Sequence, residues 1–226
     1  MLLWIIVLGA AAWWAWDRWN RHHRTGAGAS AAARARQLRT PLVRFANAAG
    51  ISTRAGRQAA RYAAGAAGER ATADRLDPMT REGWTILHDR SLPGTRANVD
   101  HLAISPTGAV FMPDTKLWSS REPVTACHGR LWHGKRDVTL RLRGIHHEAR
   151  TTSQVLGVPV TPVIAMQGAP LHDRHGHPAS ELHINGVRIV PAERLPTVLR
   201  SAGRVPGQRT ARELATHAAR ALPSYR

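Results

Sequence analysis

Cysteine is almost absent from this 226-residue chain, and acidic residues are few beside the basic ones. Cys127 is the only cysteine, so no intramolecular disulfide can form and a reducing compartment is expected. Asp and Glu number 15 against 32 Lys and Arg, which gives a formal net charge of +17. Such a balance favours polyanionic partners, either nucleic acid phosphates or an anionic membrane surface. Arginine-rich usage with very little lysine is also what a GC-rich genome produces.

Motifs for several other chemistries are absent as well. The chain has no G-x-x-x-x-G-K-[ST] loop for ATP phosphates and no G-x-S-x-G nucleophile turn. The histidines of "HDRHGH", residues 172–177, have no cysteine beside them and lack the helical H-E-x-x-H spacing of a zinc site. The sequence therefore contains no motif for ATP hydrolysis, for a serine hydrolase or for a zinc site.

The N-terminus carries the longest apolar run of the sequence. The first sixteen residues, "MLLWIIVLGAAAWWAW", are followed at once by "DRWNRHHR". As a helix this run would span roughly 24 Å, and Trp13, Trp14 and Trp16 crowd its end next to the arginines, as in an interfacial aromatic belt. We expect residues 1–20 to be a single membrane anchor, with an embedded hairpin or an interfacial helix as the alternative. The positive charges that follow predict that the rest of the chain lies on the cytoplasmic side of the cell membrane.

Composition divides the remaining chain into three parts. Residues 21–51 are predicted to be a basic juxtamembrane linker, either flexible or a loose Ala-rich helix, which could also hold anionic lipid. Over residues 52–202 the pattern predicts a leading helix, a sheet built from hairpins, a second helix, a buried strand and closing helices, which together make an α/β sandwich. Residues 203–226 are expected to add a C-terminal helix.

The stretch "NVDHLAISPTGAVFMPDTK", residues 98–116, concentrates the chemistry. Two β-rich runs around an S-P-T-G turn predict an antiparallel hairpin, with Asp100 and Asp114 at the same end. Asp114 and Lys116 are two residues apart on the second strand, so their side chains project from the same face of the sheet. Two carboxylates suit a hard divalent cation, and an ammonium beside them could orient water or offset phosphate charge. An ordinary salt bridge explains the same spacing, and Pro113, which cannot donate to the ladder, predicts an edge or a bulge there.

The segments "GERATADRL", "GWTILHDRSLPG" and "NVDHLAISPTGAVFMPDTK", with the tryptophan two residues further on, resemble the nuclease-related domain (NERD) family. That family is assigned to the PD-(D/E)xK restriction-endonuclease-like nucleases, and the resemblance extends across residues 60–200. It implies a restriction-endonuclease-like mixed sheet flanked by helices. It further implies that Asp100 and Asp114 bind metal, that Glu69 is an additional metal ligand or orients water, and that Lys116 is the catalytic lysine; for Glu69, an exposed helix residue is the alternative.

The function that the resemblance implies is hydrolysis of DNA phosphodiester bonds with Mg²⁺ or Mn²⁺, without evident sequence specificity. Basic side chains of the domain are the candidates for phosphate contact, and they are Arg96, Arg121, Arg130, Lys135, Arg141 and Arg143. Two alternatives stay open. One is a non-catalytic module that binds nucleic acid or a protein partner at the membrane, and the other is a basic lipid-binding scaffold.

Overall fold

The computed structural model describes residues 26–95, 97–203 and 209–225. The predicted anchor, residues 1–20, lies outside these ranges, and so does Arg96. Within them, no helix has both the length and the apolar composition needed to cross a membrane.

Helices and short strands alternate along the described chain. The α-helices are α1 (Ala29–Leu38), α2 (Pro41–Ala48), α3 (Arg54–Leu76), α4 (Leu142–Leu156), α5 (Leu195–Ala202) and α6 (Ala211–Ala221). The strands are β1 (Thr85–Ser91), β2 (Asn98–Ile104), β3 (Val110–Leu117), β4 (Val124–Cys127), β5 (Arg130–His133), β6 (Arg136–Asp137), β7 (Val160–Gln167), β8 (Leu171–His172), β9 (Leu182–Ile184) and β10 (Val187–Pro191).

The larger sheet has the strand order β1-β2-β3-β7-β10-β9. Its first three strands are antiparallel, β7 runs parallel to both β3 and β10, and β9 is antiparallel to β10. A smaller sheet, β6-β5-β4-β8, lies beside it. The sequence-based expectation of an α/β fold with a mixed sheet flanked by helices is confirmed.

Each face of the larger sheet has its own apolar cluster. On one face, Phe111 of β3 packs with Leu76 of α3 and Leu199 of α5. On the other, Met112 packs with Ile145 of α4 and with residues of α6. Because side chains alternate along a strand, β3 presents one set of residues to α3 and the other set to α4.

The segment predicted to be a linker is helical where it is described. Helix α1 lies on α3 and buries Ala29, Ala31 and Ala35. Its side chains are small, so the backbones come close together: a Cβ on Gly28 would lie 2.7 Å from the carbonyl oxygen of Ala66. Within the described residues, α1 therefore packs onto the domain.

Candidate active site

The hairpin of β2 and β3 is paired near its turn and open at the other end. Its ladder pairs Ile104 with Val110 and Ala103 with Phe111, and then stops. Asp100 and Asp114 lie beyond the last pair, at the open end, where they were predicted to come together.

Pro113 explains why the ladder stops. The amide of Ser105 donates to the carbonyl of Ala109 across the turn (2.9 Å), and alternation along β3 turns the amide positions of Pro113 and Thr115 toward β2 as well. Proline has no N–H to donate, and the Thr115 amide donates to the side chain of Asp100 (Oδ2, 3.3 Å). Since β3 pairs with β7 over its whole length, it is an interior strand, and the interruption expected at Pro113 as an edge or a bulge affects only the side of β3 that faces β2.

Asp114 and Lys116 form an ion pair at this open end. The Lys116 Nζ donates to Asp114 Oδ1 at 2.6 Å, and the Asp114 side chain is only 7% exposed. Burial opposes the charged form of Lys116, but the charges of Asp114 and Asp100 and the hydrogen bond outweigh it and raise the lysine pKa. The ion pair is therefore largely buried, unlike the salt bridge on an exposed edge that the spacing also allowed.

Glu69 projects into the same region from α3 and is buried, so it is not an exposed helix residue. Its Oε2 has no hydrogen-bond partner among the residues that the structure describes. Burial, followed by the charges of Asp89 and Asp114, raises the pKa of Glu69 to about 7, although Lys116 and the Gly28 amide act in the opposite direction. A buried carboxylate oxygen without a partner is costly, which marks this oxygen as available to a ligand.

The glycine before Glu69 lets α3 approach the sheet. A Cβ on Gly68 would lie 3.3 Å from both Thr115 Cγ2 and Gln167 Oε1. The Gln167 Nε2 donates to the Gly68 carbonyl (2.9 Å) and to Thr72 Oγ1 (3.1 Å), and the Thr115 hydroxyl donates to Thr72 (3.0 Å). These bonds fix the part of α3 that carries Glu69 against β3 and β7.

His101 lies on the α3 side of the sheet, away from the carboxylate of Asp100. Its Nδ1 is 2.7 Å from His88 Nδ1, and His88 Nε2 is 2.8 Å from Asp77 Oδ1. Burial and then the charge of His88 hold the pKa of His101 well below its usual value. A neutral, hydrogen-bonded His101 accounts for the Asp-His pair as a structural feature.

Glu148 of α4 is a fourth acid in this region, and the sequence-based site did not include it. Burial and then the charge of Asp114 raise its pKa to about 7. The buried residues Ile145, Ala149 and Thr152 of α4 share one face with Glu148 at spacings of three and four. This amphipathic pattern was the available signal that Glu148 faces the sheet.

Asp100 lies close enough to the other three acids for their charges to affect its pKa. Burial, and then the charges of Glu69 and Asp114, raise the pKa of Asp100 well above its usual value, and Glu148 adds to the rise. In the part of the chain that the structure describes, no three His, Cys, Asp or Glu side chains meet at metal-ligating distance. The donor chemistry nevertheless fits Mg²⁺ or Mn²⁺, because all four acids supply hard oxygens and one oxygen of Glu69 is unpartnered.

A basic surface adjoins this acidic cluster, which consists of Glu69, Asp100, Asp114 and Glu148. The Trp118 ring lies 5.1 Å below the guanidinium of Arg141 and 5.3 Å from the ring of His133. Lys135, Arg141 and His133 line a cavity of about 620 Å³. Of the other predicted phosphate contacts, Arg121 and Arg143 are exposed, and Arg130 is paired with Asp137 (3.2 Å).

The fold and the site together define an α/β domain with a lysine-containing acidic centre at the open end of a β-hairpin. Residues 64–166 match the family model NERD, described as the nuclease-related domain. The matched segment contains the whole acidic cluster and Lys116, and the resemblance inferred from the sequence is confirmed. No curated protein and no solved structure matches the chain.

Proposed function

We propose that this protein is a divalent-metal-dependent nuclease that hydrolyses DNA phosphodiester bonds without sequence preference, on a restriction-endonuclease-like fold. The observation that carries the proposal is the buried Glu69 carboxylate, which has one oxygen without a partner among the described residues and a pKa raised by burial and then by its acidic neighbours. A purely structural cluster of like charges would be unfavourable, whereas a cation site needs such a cluster.

Glu69, Asp100 and Asp114 are the residues that would hold Mg²⁺ or Mn²⁺. When bound, the ion would lower the pKa of a water molecule and neutralise charge on the phosphate. Lys116 stays protonated because its pKa is raised, and its ammonium offsets the charge that develops on the phosphate. Glu148, with a pKa of about 7, is the candidate to accept the proton of the attacking water, because a base works best when its pKa is near the working pH.

The substrate is expected to reach the site across the basic surface around Trp118. Lys135 and Arg141 would contact phosphates without reading the sequence, and Trp118 offers an aromatic face on which a base can stack.

We also propose that residues 1–20 anchor the chain in the cell membrane, with the nuclease domain on the cytoplasmic side. The uncharged run and the arginines that follow it support this location.

The test is cleavage of plasmid DNA by the full-length protein in Mg²⁺ or Mn²⁺. Glu69→Gln should remove most of the activity, whereas Asp74→Asn, an exposed acid on the same helix, should leave it unchanged. Lys116→Ala should lower the rate by roughly 10²–10³, as expected for removal of a preorganised charge. Equal cleavage by wild type, Glu69→Gln and Lys116→Ala would refute the assignment.

The alternative is a nucleic-acid-binding module on the same fold. It predicts that the wild type binds DNA but does not cleave it in either metal. It also predicts that Lys116→Ala weakens binding no more than removal of any other single surface charge does.

A further inference from the structure

Exposed apolar side chains cluster on and just after α2. Leu42 is 81% exposed, Phe45 76% and Ile51 60%. Leu42 and Phe45 are three residues apart and therefore neighbours on the helix surface, whereas Val43 is buried. The helix thus attaches to the domain by one side and presents an apolar side to the outside.

The surroundings of this apolar patch are strongly basic. Residues 26–68 contain seven arginines and no Asp, Glu or Lys. Arg54, Arg57 and Arg61 line a cavity of about 620 Å³ at the start of α3. Arg57 also lines a smaller cavity, of about 320 Å³, together with Ile51, so the arginines lie beside the apolar patch.

This combination selects among the possible occupants. Nucleic acid would satisfy the arginines but leave Leu42 and Phe45 in water. A second copy of the same surface would bring two acid-free basic segments together, and they would repel each other. The boundary between headgroups and acyl chains of an anionic bilayer accommodates both features, because it buries apolar side chains and attracts arginines.

We propose that α2 and the first turns of α3, residues 41–61, form a surface that rests on an anionic lipid membrane. Leu42, Phe45 and Ile51 enter the interface, and the cavity lined by Arg54, Arg57 and Arg61 receives lipid phosphate. The proposal rests on neither the nuclease activity nor the anchor proposed above. Because α3 rises about 1.5 Å per residue, Glu69 is held roughly 22 Å along the helix from Arg54.

The single native cysteine allows a direct test in the full-length chain. In a Cys127→Ser background, Phe45→Cys is labelled with an environment-sensitive fluorophore and mixed with vesicles of phosphatidylglycerol and phosphatidylcholine. The expected result is a blue shift with a several-fold rise in intensity. The matched control is the same label at exposed His175, in a loop after β8, where no change is expected.

Three outcomes would overturn the proposal. The first is an unchanged spectrum in protein that sediments with the vesicles, which would leave the attachment to another part of the chain. The second is the shifted spectrum without vesicles, which would show that this chain or a second copy covers the patch. The third is the same shift with duplex DNA in place of vesicles, which would identify nucleic acid as the occupant.

A second pair of variants separates lipid charge from apolar contact. Arg54→Gln with Arg61→Gln should reduce the fluorescence change on anionic vesicles to the level seen with phosphatidylcholine alone; an undiminished change would contradict the role of the cavity. Leu42→Gln with Phe45→Gln replaces exposed side chains, so the thermal unfolding midpoint and plasmid cleavage in solution should not change. An inactive wild type would overturn the nuclease proposal while leaving the vesicle result interpretable.

Discussion

Replacing Glu148 with glutamine should stabilise the metal-free protein at pH 8. Burial and the charge of Asp114 raise the pKa of Glu148 from 4.5 to about 7. Between these two values the folded state keeps a proton that the unfolded chain has released, so the free energy of unfolding falls as the pH rises. Glutamine keeps the shape of the protonated acid and cannot ionise, so Glu148→Gln avoids this loss.

The size of the effect follows from the pKa. The interval from 4.5 to about 7 corresponds to roughly 3 kcal/mol at about 1.36 kcal/mol per pH unit. Glu148 is only half-buried, so roughly 1–3 kcal/mol is expected after allowance for solvent screening. The gain should be complete above the folded pKa and should vanish near pH 4.5, where both states of the wild type are largely protonated.

Urea unfolding in EDTA at a series of pH values from 4.5 to 8 measures this gain. The control is Asp74→Asn, which removes an exposed acid on α3 and should show no growing difference from wild type. Added Mn²⁺ should reduce the difference in free energy of unfolding between Glu148→Gln and wild type at pH 8, because a cation that binds only the folded wild type stabilises it. A difference in free energy of unfolding that stays constant with pH, or a Glu148→Gln protein that is less stable than wild type at pH 8, would refute the destabilising effect assigned to ionised Glu148.

Two further predictions concern the packing that supports the site. Gly65→Ala should raise the free energy of unfolding by up to about 1 kcal/mol, because nothing lies within 4 Å of the added Cβ. Gly68→Ala should stabilise the protein less than Gly65→Ala does, or destabilise it, because the added Cβ meets Thr115 and Gln167 at 3.3 Å. Equal shifts of the thermal unfolding midpoint in the two variants would show that α3 is not held close to the sheet at Gly68. Pro113→Val should supply the missing ladder donor, so the new amide should exchange slowly with deuterium; fast exchange would mean that another feature opens the hairpin.

The local signals in the sequence were sufficient for most of the site. Gly83 follows the leading helix and its 3₁₀ extension with φ +84°, and the S-P-T-G turn joins β2 to β3. Alternation along β3 predicts that Asp114 and Lys116 share a face. These features depend on residues close together in the chain, where periodicity and turn chemistry carry the information.

Long-range packing decided what the sequence could not predict. Helix α1 is Ala-rich and basic, and it becomes ordered because α3 offers a matching small-residue face, with Ala59 and Ala66 buried. Gln167 reaches Gly68 across 99 residues of chain, and no local pattern announces that bond. Pro113 was an ambiguous signal, because a residue without an N–H donor is typical of an edge strand. The strand that covers β3 on its other side, β7, comes from a segment much later in the chain, so the local sequence could not indicate it.

Calorimetric titration of Mn²⁺ into the metal-free full-length protein at pH 7, in two buffers of different ionisation enthalpy, is the most direct test of the acidic cluster as a metal centre. The expected result is saturable binding that releases on the order of one proton per ion, because metal binding requires deprotonated ligands and the pKa values of Glu69 and Glu148 are about 7. Binding should be lost in Asp100→Asn and kept in Asp74→Asn. Equal binding by wild type and Asp100→Asn, or no saturable binding at all, would contradict a metal-dependent nuclease centre at the open end of the hairpin.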